Sequence, residues 1–390
     1  METLNEIKNG LAVLTVFRDL LRDEVISALC RYLEAPTPSA YAAFVSRLYD
    51  ANGGQLSEYV KEILENSESI YVKLLGQGKK APKHMVAAVP EELKILQAVA
   101  DLNPKSLTAG LEYSGFLPAF ESSALDLSAH YIHRTENIGK YGYGIYAKNR
   151  MFYIDSADRI MPVRNADPVR FSDLVDYERE RQLIVNNTNA LLSGKPAANI
   201  LLTGDAGTGK SSTVKAVVNE LYGAGLRIIE VRKEQLHAIQ KILDALAQNP
   251  LKFILFIDDL SFLKDDDNFN ALKAVLEGSV TAKSSNVVIY ATSNRRHIIK
   301  EKFSDRDGDD VHRNDTLQEL ISLSDRFGIH ITFSKPNKET YLKIVHHLAE
   351  KCGITVDNEL DMQAERFALE RGSRSARLAR QFVDGLLSKT

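Results

Sequence analysis

Apolar residues in the first hundred positions recur at steps of three and four, the spacing that places them on one face of an α-helix. Leu4–Leu33 follow this pattern until two prolines interrupt it, and Leu56–Leu75 resume it. Between Asp126 and Val163 the sequence becomes rich in Tyr, Ile and Gly, as in Tyr141–Tyr146, and we predict two or three strands there. Residues 1–165 are therefore predicted to form a mostly helical N-terminal region that ends in a small β element.

From residue 166 onward, short unbroken apolar runs alternate with helical patterns. The runs predict strands at Ile200–Thr203, Arg227–Val231, Phe253–Ile257, Val287–Ala291 and Ile329–Phe333. Helices are predicted at Lys210–Tyr222, Gln235–Ala247 and Asn268–Leu276. Strands that alternate with helices need crossover connections, so residues 166–334 are predicted to be a three-layer α/β module with a parallel sheet. Only helical patterns follow, and residues 335–390 are predicted to be a C-terminal helical subdomain.

Composition and charge narrow the class of protein. The chain has 390 residues, enough for two or three domains, and its net charge of −3 gives no overall attraction to nucleic acid. No run approaches 18 apolar residues, and the amino terminus lacks the layout of a secretory signal. The two cysteines, Cys30 and Cys352, are far apart, which argues against a disulfide scaffold or a zinc site. We expect a cytoplasmic protein with no membrane partner.

The clearest chemical signal is a glycine-rich loop, which we define as Gly204-Asp205-Ala206-Gly207-Thr208-Gly209-Lys210-Ser211-Ser212. It follows a predicted strand and opens a predicted helix, the context in which this spacing cradles phosphate groups with backbone N–H groups. Lys210 is predicted to reach the outer phosphates of ATP or ADP, and the Ser211 hydroxyl to ligate Mg²⁺. The alternative is a chance match of the spacing.

A triphosphate site also needs carboxylates at the end of a neighbouring parallel strand, because ligands bind at the carboxyl ends of such strands. Asp258 and Asp259 follow the predicted strand Phe253–Ile257. We predict that Asp258 holds Mg²⁺ through water and that Asp259 orients or activates the attacking water. The alternative is an acidic turn after a buried strand.

Several motifs in one order resemble the AAA+ ATPases, a class of P-loop NTPases. They are the glycine-rich loop, Asp258-Asp259, Ala291-Thr292-Ser293-Asn294, Ser324-Asp325-Arg326-Phe327-Gly328 and Gly372-Ser373-Arg374. The runs Asp258–Phe262 and Ala291–His297 are similar to those of an uncharacterised bacterial AAA+ group, domain-of-unknown-function family eight-fifteen. Its members are usually called ATP-binding proteins. The resemblance is close over Val169–Leu387, and it implies an AAA+ fold in which the C-terminal helical subdomain is the lid.

The resemblance also implies roles for three further residues. Asn294 would be the first sensor, which positions water against the terminal phosphate, although a plain strand-ending Asn is the alternative. Arg326 would be an arginine finger donated to a neighbouring subunit, unless it only pairs with Asp325. Arg374 would contact the phosphates from the lid, although Arg377 and Arg380 are close enough to be confused with it. Adenine would lie near Leu174 and Val175.

Two departures from the family pattern leave the function open. Most AAA+ proteins have Glu where this chain has Asp259, so hydrolysis could be slow and the chain could be an ATP-gated switch or adaptor. The segment Glu230–Gln235 lacks the aromatic residue of a threading unfoldase. The main hypothesis is an ATPase that assembles into a homo-oligomeric ring or filament and remodels or regulates an unknown protein partner. A nucleic-acid loader is the third reading, motivated by Arg232, Lys233, Arg295 and Arg296.

Overall fold

The computed structural model describes residues 2–260, 267–277, 285–294 and 325–388. The chain divides into two compact units. The first unit is Met1–Lys148 together with Gln248–Leu251, and the second unit is Asn149–Ala247 together with Lys252–Thr390.

The first unit is built from α-helices in the part of the chain that is described. They are α1 (Glu2–Ala12), α2 (Glu24–Glu34), α3 (Pro38–Asn52), α4 (Leu56–Asn66), α5 (Ile70–Gly76), α6 (Lys83–Ala100), α7 (Pro104–Thr108), α8 (Leu127–Glu136) and α9 (Ile138–Tyr141). Their apolar faces form one core, in which the rings of Phe17 and Tyr131 meet edge to face at 5.3 Å. The predicted helical character of this region is confirmed.

One carboxylate is buried within this unit and organises the chain around it. Glu92 on α6 is 5% exposed and accepts hydrogen bonds from the backbone N–H groups of Thr15, Val16 and Phe17 and from the Thr15 hydroxyl. Burial opposes ionisation of this group, but the four hydrogen bonds outweigh burial and hold the pKa of Glu92 below its usual value. Glu92 thereby satisfies three backbone donors just after α1, of which those of Val16 and Phe17 are buried.

The predicted strands at the end of the N-terminal region are only partly correct. Leu127–Glu136 and Ile138–Tyr141 are helices, and Gly144–Tyr146 is a 3-10 turn. The Asp126 carboxylate caps α8 at the N–H of Ala129, and Leu127 and Tyr131, one helical turn apart, are both buried. The strand interpretation of Tyr141–Tyr146 is therefore wrong. A hairpin does follow, formed by β1 (Met151–Ile154) and β2 (Ile160–Pro162).

This hairpin is part of the large sheet of the second unit. Strand β1 pairs in parallel with β4, with Met151 opposite Ile228, so the β element extends the sheet and does not end the helical region. The boundary between the units consequently lies at residues 148 and 149 instead of at the predicted residues 165 and 166. The sequence pattern could not reveal this pairing because the two strands are more than 70 residues apart in the chain.

Seven strands form the sheet of the second unit in the order β2-β1-β4-β5-β6-β3-β7 within the described residues. The remaining strands are β3 (Ile200–Gly204), β4 (Leu226–Glu230), β5 (Lys252–Ile257), β6 (Val287–Ser293) and β7 (Ile329–Phe333). The helices between them are α10 (Glu178–Leu192), α11 (Lys210–Leu221), α12 (Ile239–Leu246) and α13 (Asp267–Glu277). All pairings except β1 with β2 are parallel, so the predicted mixed α/β fold is confirmed and is compatible with a P-loop NTPase-like architecture.

Strand order decides which loops meet. Strand β6 lies between β3 and β5, with Thr203 opposite Ser293 and Ile257 opposite Ala291. Because the strands are parallel, the segments that follow β3, β5 and β6 leave the sheet at the same edge. The glycine-rich loop, Asp258-Asp259 and Asn294 are therefore neighbours.

The C-terminal helical subdomain has a core of its own. It consists of α14 (Lys338–Lys351), α15 (Asn358–Glu370) and α16 (Ala376–Leu387), which bury Tyr341, Val345 and Val383 against one another. This subdomain and the sheet both belong to the second unit. In the part of the chain that is described, no helix combines the length and the apolar character that crossing a membrane requires.

Candidate functional site

The glycine-rich loop connects β3 to α11 and contains two positions at which a side chain would not fit. A Cβ at Gly204 would lie 2.1 Å from the Phe333 carbonyl oxygen, and the φ of Gly204 is +139°. Gly207 has a φ of +78°, and a Cβ there would lie 3.1 Å from the Ser375 hydroxyl. The Ala376 N–H at the start of α16 donates to the Gly207 carbonyl oxygen at 3.1 Å. The C-terminal helical subdomain thus contacts the loop directly.

Lys210, the first residue of α11, turns its ammonium group back into the loop. The residue is 5% exposed, and Nζ donates to the carbonyl oxygens of Gly204 at 2.7 Å and Asp205 at 2.9 Å and to Asn294 Oδ1 at 3.0 Å. Burial lowers the pKa of Lys210, and the nearby carboxylates of Asp258, Asp205 and Asp259 oppose that shift. A cation is therefore held where an anion could replace the loop carbonyls as its partner.

Ser211 and Asp258 form a site made only of oxygen donors. The Ser211 hydroxyl donates to Asp258 Oδ1 at 2.7 Å, and the Thr292 hydroxyl donates to the same oxygen at 2.5 Å. A hydroxyl beside a carboxylate is a donor set that suits Mg²⁺, which prefers oxygen ligands and retains several waters. The two predicted metal ligands are brought together, and the residues present fit the ion.

Asp259 has an uncommon backbone conformation. Its φ is +54°, which is left-handed for a residue other than glycine, and its N–H donates to the Thr292 hydroxyl at 2.9 Å. Its carboxylate accepts from Asn294 Nδ2 at 2.7 Å. Left-handed conformations at such residues persist only where the surroundings impose them, and they concentrate at functional sites.

Asn294 joins the loop lysine to the second carboxylate. Its Oδ1 accepts from Lys210 and its Nδ2 donates to Asp259, so the amide bridges the start of α11 and the turn after β5. This position follows from the place of β6 between β3 and β5. The structure thus brings the predicted residues Lys210, Asp259 and Asn294 into one hydrogen-bonded chain.

A cleft of about 580 Å³ opens beside these residues, between the sheet and the C-terminal helical subdomain. Its apolar wall includes Leu174, Val175, Pro336, Ile344 and Leu348. Drug-sized and cofactor-sized ligands occupy cavities of this size. Adenine was expected near two of these residues, Leu174 and Val175.

Polar groups without partners line the same cleft. The Nε2 atom of His347 is buried and has no hydrogen-bond partner within the described residues. Arg377 and Arg380 on α16 are exposed and line the cleft, and neither forms an ion pair among the described parts of the chain. A buried polar atom without a partner destabilises a protein unless a ligand or water satisfies it.

Arg374, the predicted lid arginine, has a different surrounding. Its Nε and Nη2 atoms donate to Glu365 at 3.1 and 2.9 Å, and the hydrogen bonds from Arg374 hold the pKa of Glu365 below its usual value. Arg374 is absent from the described cleft lining, whereas Arg377 is part of it. The structure therefore brings Arg377 to the glycine-rich loop and leaves Arg374 paired within the C-terminal helical subdomain.

Arg326, the predicted arginine finger, precedes β7 and therefore lies near the amino ends of the parallel strands. The glycine-rich loop follows their carboxyl ends. Ile329 at the start of β7 pairs with Ile200 at the start of β3, whereas Gly204 pairs with Phe333. Five residues of strand span about 13 Å, so Arg326 lies at the far end of the strands from the cleft of its own chain. The Arg326 side chain is partly exposed and already has an interaction partner within the chain.

Some predicted residues lie outside the described parts of the chain. They include Ser261, Phe262, Arg295, Arg296, His297 and Ser324. Two of the four basic residues that motivated the nucleic-acid hypothesis, Arg295 and Arg296, are therefore among them. Other contributors were missed at the level of sequence. Thr292 lies within the motif Ala291–Asn294 but received no role, and His347 has no sequence signal that separates it from His346.

The comparison with protein families identifies the second unit. The model of the family described as "Protein of unknown function (DUF815)" matches residues 147–390, which is more than half of the chain. The chain belongs to this family. The predicted resemblance to family eight-fifteen is therefore confirmed. No curated protein matches the chain.

The extent of the DUF815 match agrees with the structural division. It begins at residue 147, two residues before the second unit begins, and it includes β1 and β2. The resemblance had been expected to be close only from Val169. The hairpin, the sheet, the cleft and the C-terminal helical subdomain thus all belong to the DUF815 region.

Proposed function

We propose that the chain is a Mg²⁺-dependent ATPase of the AAA+ type. One observation carries the proposal: the glycine-rich loop, the Ser211–Asp258 pair and the Lys210–Asn294–Asp259 chain converge at the carboxyl ends of three adjacent strands. Each of these parts alone is common in proteins. Their convergence beside a cleft whose arginines form no ion pair with the described residues fits a polyphosphate whose charge the protein must neutralise.

Each group would have a separate task in phosphoryl transfer. The loop N–H groups and Lys210 would bind the phosphates, and Ser211 and Asp258 would hold Mg²⁺. The bound ion would neutralise charge on the outer phosphates. Asn294 and Asp259 would orient the attacking water, which is the task their mutual hydrogen bond of 2.7 Å suits.

The cleft supports a nucleotide with a purine base. Leu174, Val175 and Leu348 offer apolar surface for the ring, and the buried Nε2 of His347 offers one polar contact that lacks a partner in the described chain. Adenine has ring nitrogens and an exocyclic amine that could meet this atom. ATP and ADP are therefore the proposed ligands.

An assembly of copies is part of the proposal. Arg326 precedes β7 at the amino ends of the strands, whereas the cleft lies at their carboxyl ends. Arg326 would therefore contact a phosphate in another copy of the chain. A homo-oligomeric ring or filament would bring it there. The protein partner on which such an assembly would act is proposed to bind elsewhere on the chain.

The direct test is titration of the purified chain with a fluorescent ATP analogue, with and without Mg²⁺, beside a turnover assay. We expect Mg²⁺ to strengthen binding and Asp259→Asn to keep affinity while lowering turnover about 100-fold, as expected for a group that assists proton transfer. Asparagine tolerates the left-handed backbone of Asp259, so this change removes charge without adding strain. A folded wild-type chain without affinity for ATP or ADP would remove the proposal.

The second candidate is an ATP-gated switch that barely hydrolyses ATP. It is favoured by the short side chain of Asp259 compared with Glu, and by the bond from Asn294, which takes up one of the two Asp259 carboxylate oxygens. Tight binding without turnover, unchanged in Asp259→Glu, would favour the switch over the ATPase.

Replacing Arg377 and Arg374 one at a time with alanine tests which of them contacts the phosphates. We expect Arg377→Ala to lower the affinity for ATP about tenfold, because a charge-assisted hydrogen bond contributes about 1.5 kcal/mol, and to leave AMP affinity unchanged. Arg374→Ala should leave ATP affinity within about twofold and should lower the melting temperature by loss of the Glu365 pair. The reverse pattern in calorimetric titrations would restore Arg374 as the phosphate contact.

A further inference from the structure

Thr292 hydrogen-bonds to the carboxylate of Asp258 and to the backbone N–H of Asp259. It stands near the end of β6 and is 2% exposed. Its hydroxyl donates to Asp258 Oδ1 at 2.5 Å and accepts from the Asp259 N–H at 2.9 Å. Its carbonyl oxygen accepts from the Leu260 N–H at 2.7 Å. One residue thus holds the three consecutive positions Asp258, Asp259 and Leu260.

The turn after β5 needs such support. The φ of Asp259 is +54°, a conformation that crowds the side chain of any residue except glycine. The N–H of Asp259 bonds to a side chain on the neighbouring strand. Without this bond, nothing else among the described hydrogen bonds would satisfy the Asp259 N–H in its left-handed position.

The carboxylates of Asp258 and Asp259 therefore have different hydrogen-bond partners. Asp258 Oδ1 is held between the hydroxyls of Thr292 and Ser211, at 2.5 and 2.7 Å. The Asp259 carboxylate is turned to Asn294. Residues that orient ligands in this way commonly change metal affinity or activity by about 10- to 100-fold when they are replaced.

We propose that Thr292 is a positioning residue, whose hydroxyl orients Asp258 as the Mg²⁺ ligand and fixes the left-handed turn that presents Asp259 to Asn294. This inference rests on the proposed ATPase function and adds a residue to its machinery. Thr292 acts through the carboxylate of Asp258 and the backbone of Asp259.

The test compares Thr292→Val with Thr292→Ser and with a matched control. Valine keeps the shape of threonine but can neither donate to Asp258 nor accept from Asp259. Serine keeps the hydroxyl. The control is Thr188→Val, because Thr188 on α10 is 0% exposed and its hydroxyl also has two partners, the Ile184 carbonyl and the Tyr290 hydroxyl, each at 2.8 Å.

Three quantities are measured on variants whose folding is first checked by thermal melting. They are the affinity for a fluorescent ATP analogue in EDTA, the Mg²⁺ concentration at half-maximal enhancement of that binding, and the turnover number. For Thr292→Val we expect unchanged affinity in EDTA within about twofold, a half-maximal Mg²⁺ concentration raised about tenfold, and turnover lowered about 10- to 100-fold. Thr292→Ser should recover most of both losses.

The outcomes separate the inference from the function beneath it. If Thr292→Val matches Thr188→Val in all three quantities while the wild type binds and hydrolyses ATP, Thr292 is structural and the inference is overturned. If the wild type has no nucleotide affinity, the proposed function and the inference are both overturned. Should Thr292→Val aggregate, Thr292→Ala removes the same hydroxyl with less bulk and is held to the same expectations.

Discussion

Replacing Lys210 with alanine is expected to lower the affinity for ATP by about 100-fold. The Lys210 ammonium already makes three hydrogen bonds inside the glycine-rich loop, and phosphate oxygens would replace the loop carbonyls as its partners. Two charge-assisted hydrogen bonds of about 1.5 kcal/mol each correspond to about 3 kcal/mol, which is roughly 100-fold in affinity. Isothermal titration with ATP and Mg²⁺ measures this loss.

Lys215 provides the matched control for this change. It lies five residues further along α11, outside the cleft lining, and its amine is 3.9 Å from the Asp167 carboxylate. Lys215→Ala removes the same charge from the same helix and should leave ATP affinity within about twofold. Equal affinities for Lys210→Ala and the wild type would show that the loop does not bind the phosphates.

Replacing Arg326 with alanine is expected to lower turnover about 1,000-fold with nucleotide affinity retained. Arginine fingers of P-loop enzymes contribute about 10³ to 10⁵ in rate because a guanidinium neutralises charge on the transferred phosphoryl group. Arg326 precedes β7, away from the cleft of its own chain, so the proposed finger would act on a neighbouring copy. Steady-state turnover of the variant, beside its ATP affinity, measures this effect.

Mixing two inactive variants tests whether the site is shared between copies. Lys210→Ala subunits cannot bind ATP well but keep Arg326, whereas Arg326→Ala subunits keep the loop. We expect the mixture to recover turnover, because the intact loop of an Arg326→Ala subunit can meet Arg326 of a neighbouring Lys210→Ala subunit. Arg326→Lys should recover little, because lysine lacks the planar fork of guanidinium. No recovery at any mixing ratio would exclude a finger acting between copies.

Local sequence patterns predicted the sheet well where the strands are buried on both faces. The predicted strands Ile200–Thr203 and Phe253–Ile257 differ from β3 and β5, respectively, by one residue each. Such strands need unbroken apolar runs, so the pattern identifies them directly. The Tyr- and Gly-rich segment Tyr141–Tyr146 was misjudged, because composition favours strands there. In the structure α9 ends at Tyr141, Gly142 and Gly144 have positive φ, and Gly144–Tyr146 is a 3-10 turn.

The candidate site divides in the same way. Sequence alone determined the glycine-rich loop, Asp258 and Asp259, because a loop that curls around phosphate needs glycines and a lysine at adjacent positions of one segment. Tertiary structure alone decided that Thr292 holds the Asp258 carboxylate and the Asp259 backbone, that Asn294 bridges Lys210 and Asp259, and that Arg377 and not Arg374 lines the cleft. These relations depend on which strands are neighbours and on how α16 meets the loop. Strand order and helix packing arise from burial of the whole core, so no single segment of the sequence contains them.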